Sequence, residues 1–355
     1  MAILFIAVLS SVTLAGCGTL VTWYADQHDK DNDVSAFKPE DDTLLQELAQ
    51  RFGLMALLSE AVYRRDLKRA DRDSNGCAYI KAGAAVPAPE YGMPASSNGK
   101  WMRWVPDNEP ANAPLPGAPK IAPIACLNDP SGLHYETYVL ERQGQLLEAV
   151  IAFRGTENRS GQTFRDWRSN IAAFFGFEPA QYAAARAQMV PLIKALSNVL
   201  VKHNGKAKIY ATGHSLGGGL AQQAGYMSKE ILEVYTFNTT PVTNWSQLRL
   251  DSDVRNAYPI FHRVYHGGEF LEKVRFVSTS ATKARYGRHD IGVQLKDRSN
   301  VAGHSIQLMA CEFARLVRDS GVEEAPHGYS SEWIRNILLD DERDDQPCSA
   351  EKAGA

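Results

Sequence analysis

Lys206-Ala-Lys-Ile-Tyr-Ala-Thr-Gly-His-Ser-Leu-Gly-Gly-Gly219 reads as a short strand, a sharp turn and the start of a helix. Ile209, Tyr210 and Ala211 form a compact apolar run suited to a buried strand. Gly213 and Gly217 flank Ser215 in the pattern G-x-S-x-G. A serine on a tight strand-to-helix turn sits in a strained backbone conformation, and only small neighbours avoid a clash. The first N–H groups of the following helix, beginning at Leu216, are unsatisfied donors at its positive end. Leu220, Ala221, Ala224 and Met227 make that helix apolar, and Gly218 and Gly219 allow it to pack closely on the strand. The pattern therefore reads as a nucleophile elbow. It is not a phosphate loop, because neither G-x-x-x-x-G-K-[ST] nor G-x-G-x-x-G is present here.

Working outward, strand and helix patterns alternate. His134–Arg142 and Leu146–Phe153 are two strand-like runs joined by a Gly-containing turn, which predicts a hairpin whose second strand is central. Helices are expected at 165–175 and 179–204, the second with Tyr182, Met189, Leu192, Ile193 and Leu196 on its apolar face. After the elbow helix come strands near 233–237, 260–265 and 290–295, and a closing helix from His304 to Val317. This alternation implies an α/β fold: a mostly parallel sheet with helices on both faces. Upstream, Leu44, Leu48, Phe52, Met55, Ser59 and Val62 recur at helical spacing with a single apolar face. The basic residues Arg64, Arg65, Lys68 and Arg69 mark the exposed end of that helix.

The chain of 355 residues is 44% hydrophobic with a net charge of −3, enough for a large core. No basic run or RNA-binding motif points to nucleic acid. Residues 2–16 form an apolar stretch too short for a comfortable membrane span and suited to a secretory signal. Its end, Leu14-Ala15-Gly16-Cys17, resembles the bacterial lipoprotein signal. That resemblance implies a lipidated Cys17, and Gly18 after it implies an outer-membrane address. Residues 1–16 are thus read as the signal peptide and 17–41 as a polar, acidic, solvated tether. Residues 42–340 are read as the α/β domain, and 341–355 as a polar tail. Ten of the seventeen prolines lie between Pro87 and Pro130, so 85–130 reads as a long irregular insertion. Trp101, Met102 and Trp104 within it are expected to pack on the domain surface. Outside the cytoplasm disulfides persist. Cys77–Cys126 is the candidate clamp on the insertion, with Cys311 and Cys348 left free. No Cys/His spacing is of the zinc-site type.

Val150-Ile-Ala-Phe-Arg-Gly-Thr156, Asp166-Trp167, Thr212-Gly-His-Ser-Leu-Gly-Gly218, Tyr235-Thr-Phe-Asn-Thr-Thr-Pro241 and the His304 region together resemble the class 3 (fungal-type) lipases of the α/β-hydrolases. The likeness runs from roughly 42 to 320. It implies an acid and then a histidine on loops after later strands. Arg263-Val-Tyr-His-Gly-Gly-Glu269 matches the segment that ends in the catalytic aspartate of that family; here the position is Glu269, with Glu272 as the rival. His304 suits the base. His289, on an expected strand, is the alternative, and His266 reads as a turn residue. The oxyanion donors implied are the N–H groups of Leu216 and Thr156. Arg154 reads as a structural ion-pairing residue and His214 as a packing residue. Asn238 stands where the family usually has glycine. The resemblance implies hydrolysis of lipid carboxylic esters through an acyl-enzyme, with no cofactor or metal. The departures at Glu269 and Asn238 leave a second reading, a lipid-anchored envelope protein that uses the fold only for binding.

Overall fold

A computed structural model of the chain describes residues 34–37, 42–64, 95–96, 99–104, 126–128, 131–155, 180–240, 242, 248, 259–267, 269, 271, 288–293, 303–321 and 327. The hairpin forms where the sequence places it. β5 (His134–Arg142) and β6 (Gln145–Phe153) pair antiparallel. They are joined by Gln143 and Gly144, both at positive φ (53° and 78°). Two consecutive residues of that hand make the turn whose twist matches the strands. From β6 onward the sheet is parallel, through β7 (Ile209–His214), β8 (Ile231–Phe237), β9 (Ile260–His266) and β10 (Arg288–Val293).

Side chains along β6 alternate between two cores. Ala149, Ile151 and Phe153 pack with α2 (Ala180–Asn204) and α3 (Leu216–Met227). Val150 and Ala152 pack with α1 (Asp42–Ala61) and α4 (Ile306–Ser320). Helices thus cover both faces, as parallel sheets require. The sequence-derived fold class, a mostly parallel α/β sheet, is what the structure shows.

Four expectations need correction. First, α1 is not one-sided: from Phe52 to Arg64 every residue is buried, including Ser59 and Glu60. The helix lies between the sheet and α4, and a helix covered on both sides is buried all round. Ser59 hydrogen-bonds the Thr212 hydroxyl at 2.8 Å, and Thr212 donates to the Met55 carbonyl. Second, Arg64 is 1% exposed and does not mark a solvated end. Third, the segment read as a tether contains β1 (Val34–Phe37), parallel to β10 at the sheet edge. Fourth, the Pro-rich insertion is not irregular throughout. It supplies β2 (Ala95–Ser96), β3 (Gly99–Arg103) and β4 (Cys126–Asn128). β3 and β4 both pair with β5. Trp101 and Trp104 are buried, and Trp101 Nε1–H donates to the His327 carbonyl.

Cys126 and Cys311 are each disulfide-bonded, so the expectation that Cys311 is free is also overturned. Cys77 and Cys348 lie outside the described residues, as do residues 1–33 with Cys17, and Asp166. Among the described residues no helix is long and apolar enough to cross a membrane.

Candidate active site

The elbow forms where β7 meets α3. Ser215 has φ 56° and ψ −124°, a conformation that costs an L-residue on the order of 1–3 kcal/mol and persists only when its surroundings enforce it. They do so through the main chain. The Ser215 N–H donates to the Phe237 carbonyl at 3.0 Å. The Ser215 carbonyl accepts from the N–H groups of Gly218, Gly219 and Thr240. The flanking glycines are sterically required: a Cβ on Gly213 would meet the Gly217 carbonyl, and one on Gly217 would meet the Phe153 carbonyl. Ser215 is 2% exposed, and its Oγ makes no hydrogen bond within the described structure. Leu216 is the first residue of α3, so its N–H lies at the positive end of that helix. Thr156 is outside the described residues. Its neighbour Gly155 lies against the elbow, because a Cβ there would sit 3.3 Å from Ser215 Cβ and 2.6 Å from the His214 carbonyl.

The structure brings the sequence-predicted acid and base together. Glu269 follows β9, and His304 precedes Ser305, the N-cap of α4. His304 Nδ1 lies 2.9 Å from Glu269 Oε2, and the glutamate side chain is fully buried. The same oxygen accepts the Leu271 N–H at 2.9 Å. A carboxylate only accepts, so Nδ1 carries the proton and a neutral imidazole presents Nε2 as the acceptor. Nε2 is buried. The longer reach of glutamate is accommodated, with the carboxylate at hydrogen-bond distance from the ring. The rival Glu272 lies outside the described residues. His289 sits on β10 as expected, with its ring 5.4 Å from His262 and away from this dyad's contacts. His266 ends β9 and is buried.

Sequence reasoning missed two residues. His214 is not merely packed. Its Nε2–H donates to the His304 carbonyl at 2.6 Å, Tyr63 Oη–H donates to its Nδ1 at 2.9 Å, and its ring lies 4.7 Å from the His304 ring. The segments that carry Ser215 and His304 are therefore adjacent. Asn238 joins the segments leading to Glu269 and to His304 through its side-chain amide, which bonds the His266 N–H and the Gly303 carbonyl. Its only sequence signal was a polar residue at a position where glycine was expected.

A second buried polar group lies beside the insertion strands. Arg103 Nε is 2.8 Å from Glu136 Oε2, and His134 Nε2 is 3.5 Å from Glu136 Oε1. Burial pushes the Glu136 carboxyl up, but Arg103, the His134 hydrogen bond and Arg64 outweigh it and hold it below the usual carboxylate range. Cys126, His134 and Glu136 bring ligand-type atoms within 4.8 Å of one another. The Cys126 sulfur is in a disulfide and the Arg103 guanidinium already neutralises Glu136, so the group is an ion-paired one and fits no metal.

An elbow serine follows His214 directly, the His214 ring lies 4.7 Å from that of the Glu269-paired His304, and the sheet is mostly parallel: this is an α/β-hydrolase-type fold. A family model described as a phospholipase-like, Tle-like phospholipase domain matches residues 54–244. That is more than half of the chain, and the chain belongs to this family of lipid ester hydrolases. The extracellular phospholipase A1 of Serratia liquefaciens is 31% identical over 130 residues. The match spans 35% of this chain and 35% of that protein. Two solved structures are loosely similar. The lipase from Rhizopus microsporus var. chinensis has TM-score 0.37 and 16% identity over 68% of this chain and 71% of that one. Lipase II from Rhizopus niveus has TM-score 0.35 and 19% identity over 65% and 75%.

Proposed function

We propose that the chain hydrolyses carboxylic esters of phospholipids through an acyl-enzyme. Ser215 Oγ attacks the ester carbonyl while His304 Nε2 takes its proton, and the Glu269 carboxylate stabilises the imidazolium that forms. The oxyanion rests on the N–H groups of Leu216 and Thr156. His304 then gives its proton to the departing alcohol. It next draws a proton from water, which attacks the acyl carbonyl; the acyl–Oγ bond breaks, His304 returns that proton to Ser215 Oγ, and the fatty acid is released. The observation that carries this reading is the Glu269–His304 hydrogen bond beside an elbow serine held at φ 56°. Family membership and the partial match to a phospholipase A1 favour phospholipid over other esters.

The Leu14-Ala15-Gly16-Cys17 motif supports export and lipidation at Cys17. The domain would then stand at the cell envelope, at the outer membrane, close to its substrate. The experiment compares release of fatty acid from phosphatidylethanolamine vesicles, tributyrin and p-nitrophenyl acetate by wild type and Ser215→Ala. The proposal expects vesicle turnover that Ser215→Ala abolishes. Undiminished turnover by the variant would overturn it, and a wild type inert on all three substrates would favour the binding-only reading.

A further inference from the structure

Asn238 and His214 take no part in the proton transfers above, yet their polar atoms converge on the base loop. Asn238 is fully buried and sits at φ 43°. Glycine would adopt that backbone at no cost and asparagine at little. The side chain, then, is what an asparagine adds. Its Nδ2–H donates to the Gly303 carbonyl at 3.0 Å, and its Oδ1 accepts the His266 N–H at 2.8 Å. The His266 carbonyl in turn accepts the Glu269 N–H at 3.3 Å. One amide therefore ties the strand end that carries the acid to the peptide just before the base.

His214 holds the next carbonyl. The His304 carbonyl can only accept, so His214 Nε2 carries the proton, and Nδ1 receives the Tyr63 hydroxyl. Both imidazole nitrogens are thus used, with Tyr63 brought in from the end of α1. Consecutive carbonyls, Gly303 and His304, are gripped from two directions: one by the residue before the nucleophile, the other by a residue bonded to the acid loop.

We infer that Asn238 and His214 are positioning residues that fix the His304 imidazole between Ser215 and Glu269. The inference rests on the assignment of those three residues as nucleophile, base and acid. Each bond acts on the main chain at or beside His304, so its loss displaces the ring without removing any reacting group.

The test uses the full chain with Asn238→Gly, Asn238→Asp, His214→Phe and His214→Gln, beside Ser215→Ala and His304→Ala. It reads kcat and KM on a p-nitrophenyl ester, the rate of inactivation by a fluorophosphonate, and Tm. A displacement of the order of 1 Å at a reacting group lowers turnover about 100-fold, so Asn238→Gly should lower kcat about 10- to 100-fold with little change in KM. The inactivation rate should fall in parallel. Asn238→Asp keeps the volume, the φ and the acceptor for His266 N–H, but turns a carboxylate oxygen on the Gly303 carbonyl; it should fall at least as far. His214→Gln, whose amide can still donate to the His304 carbonyl, should recover much of what His214→Phe loses. Folded Asn238→Gly and His214→Phe proteins with kcat and inactivation rates within about threefold of wild type would overturn the inference. So would losses that track only the unfolded fraction, with no recovery in His214→Gln. If Ser215→Ala or His304→Ala remained active, the site assignment itself would fail. Inactive controls beside unimpaired clamp variants would refute the clamp alone.

Discussion

Glu269→Gln isolates the charge of the acid from its shape. The glutamate is fully buried, and its Oε2 accepts from both His304 Nδ1 and Leu271 N at 2.9 Å. A glutamine fills the same volume, and its carbonyl can accept both hydrogen bonds. What it lacks is the negative charge that, in the proposed mechanism, faces the imidazolium formed when His304 takes the serine proton. With charge centres about 4 Å apart and an effective dielectric near 20, that attraction is worth about 4 kcal/mol. Lost from the transition state alone, it lowers kcat about 1,000-fold, since each 1.36 kcal/mol is tenfold. KM, set by contacts elsewhere, should hardly move. The assay is steady-state hydrolysis of a p-nitrophenyl ester, with Tm measured on the same preparations. Glu269→Asp keeps the charge but falls short by a methylene, and should lie between the two. A folded Glu269→Gln protein within threefold of wild-type kcat would refute Glu269 as the acid and return Glu272 to consideration.

Three further outcomes follow from the same contacts. Gly217→Ala forces a Cβ into the Phe153 carbonyl, which is backbone of β6 and cannot yield cheaply. The elbow must shift, and activity should drop about 100-fold with a measurable fall in Tm; wild-type kcat would contradict this. Arg103→Met leaves the Glu136 carboxylate buried without its main counter-charge, a loss of about 3–5 kcal/mol that denaturant unfolding would read. Replacing both Arg103 and Glu136 by apolar residues should recover most of it; no recovery would argue against the pairing. Glu233 is drawn down to about 2, chiefly by the hydrogen bond from His262, against its burial and with help from Tyr235. A carboxylate held below its usual 4.5 lends stability above that pH and loses it as pH falls toward the folded value. Glu233→Gln should therefore lower Tm at pH 7, and its gap to wild type should narrow below about pH 4; a gap that stays constant or widens would refute the pairing.

The parts legible in the sequence were those fixed by short-range rules. The elbow was readable because G-x-S-x-G between a strand and a helix has one steric solution, and Gly213 and Gly217 occupy the positions where a Cβ would collide. The β5–β6 hairpin was readable from its turn, and the strand–helix alternation gave the parallel sheet. What escaped depends on tertiary partners. α1 looked amphipathic, and only α4 on its outer side buries the rest of it. Arg64 looked like a solvated end but belongs to the buried group around Glu136. β1 has four residues in a polar, acidic segment and exists by pairing with β10. β3 and β4 lay hidden among prolines because their register is set by β5. At the site, Ser215 stood out through G-x-S-x-G, and Glu269 and His304 were expected from the resemblance; the structure puts the last two 2.9 Å apart. The contacts of His214 and Asn238 were not legible, because a side chain that bonds a distant carbonyl leaves no local pattern.

A single activated serine, Ser215, is the centre of the proposed chemistry. Full-length protein treated with a fluorophosphonate and analysed by peptide mass spectrometry should carry one phosphonyl group, on Ser215, formed far faster than in His304→Ala and absent in Ser215→Ala. A folded wild type that acquires no adduct, or acquires it on another residue, would contradict the account.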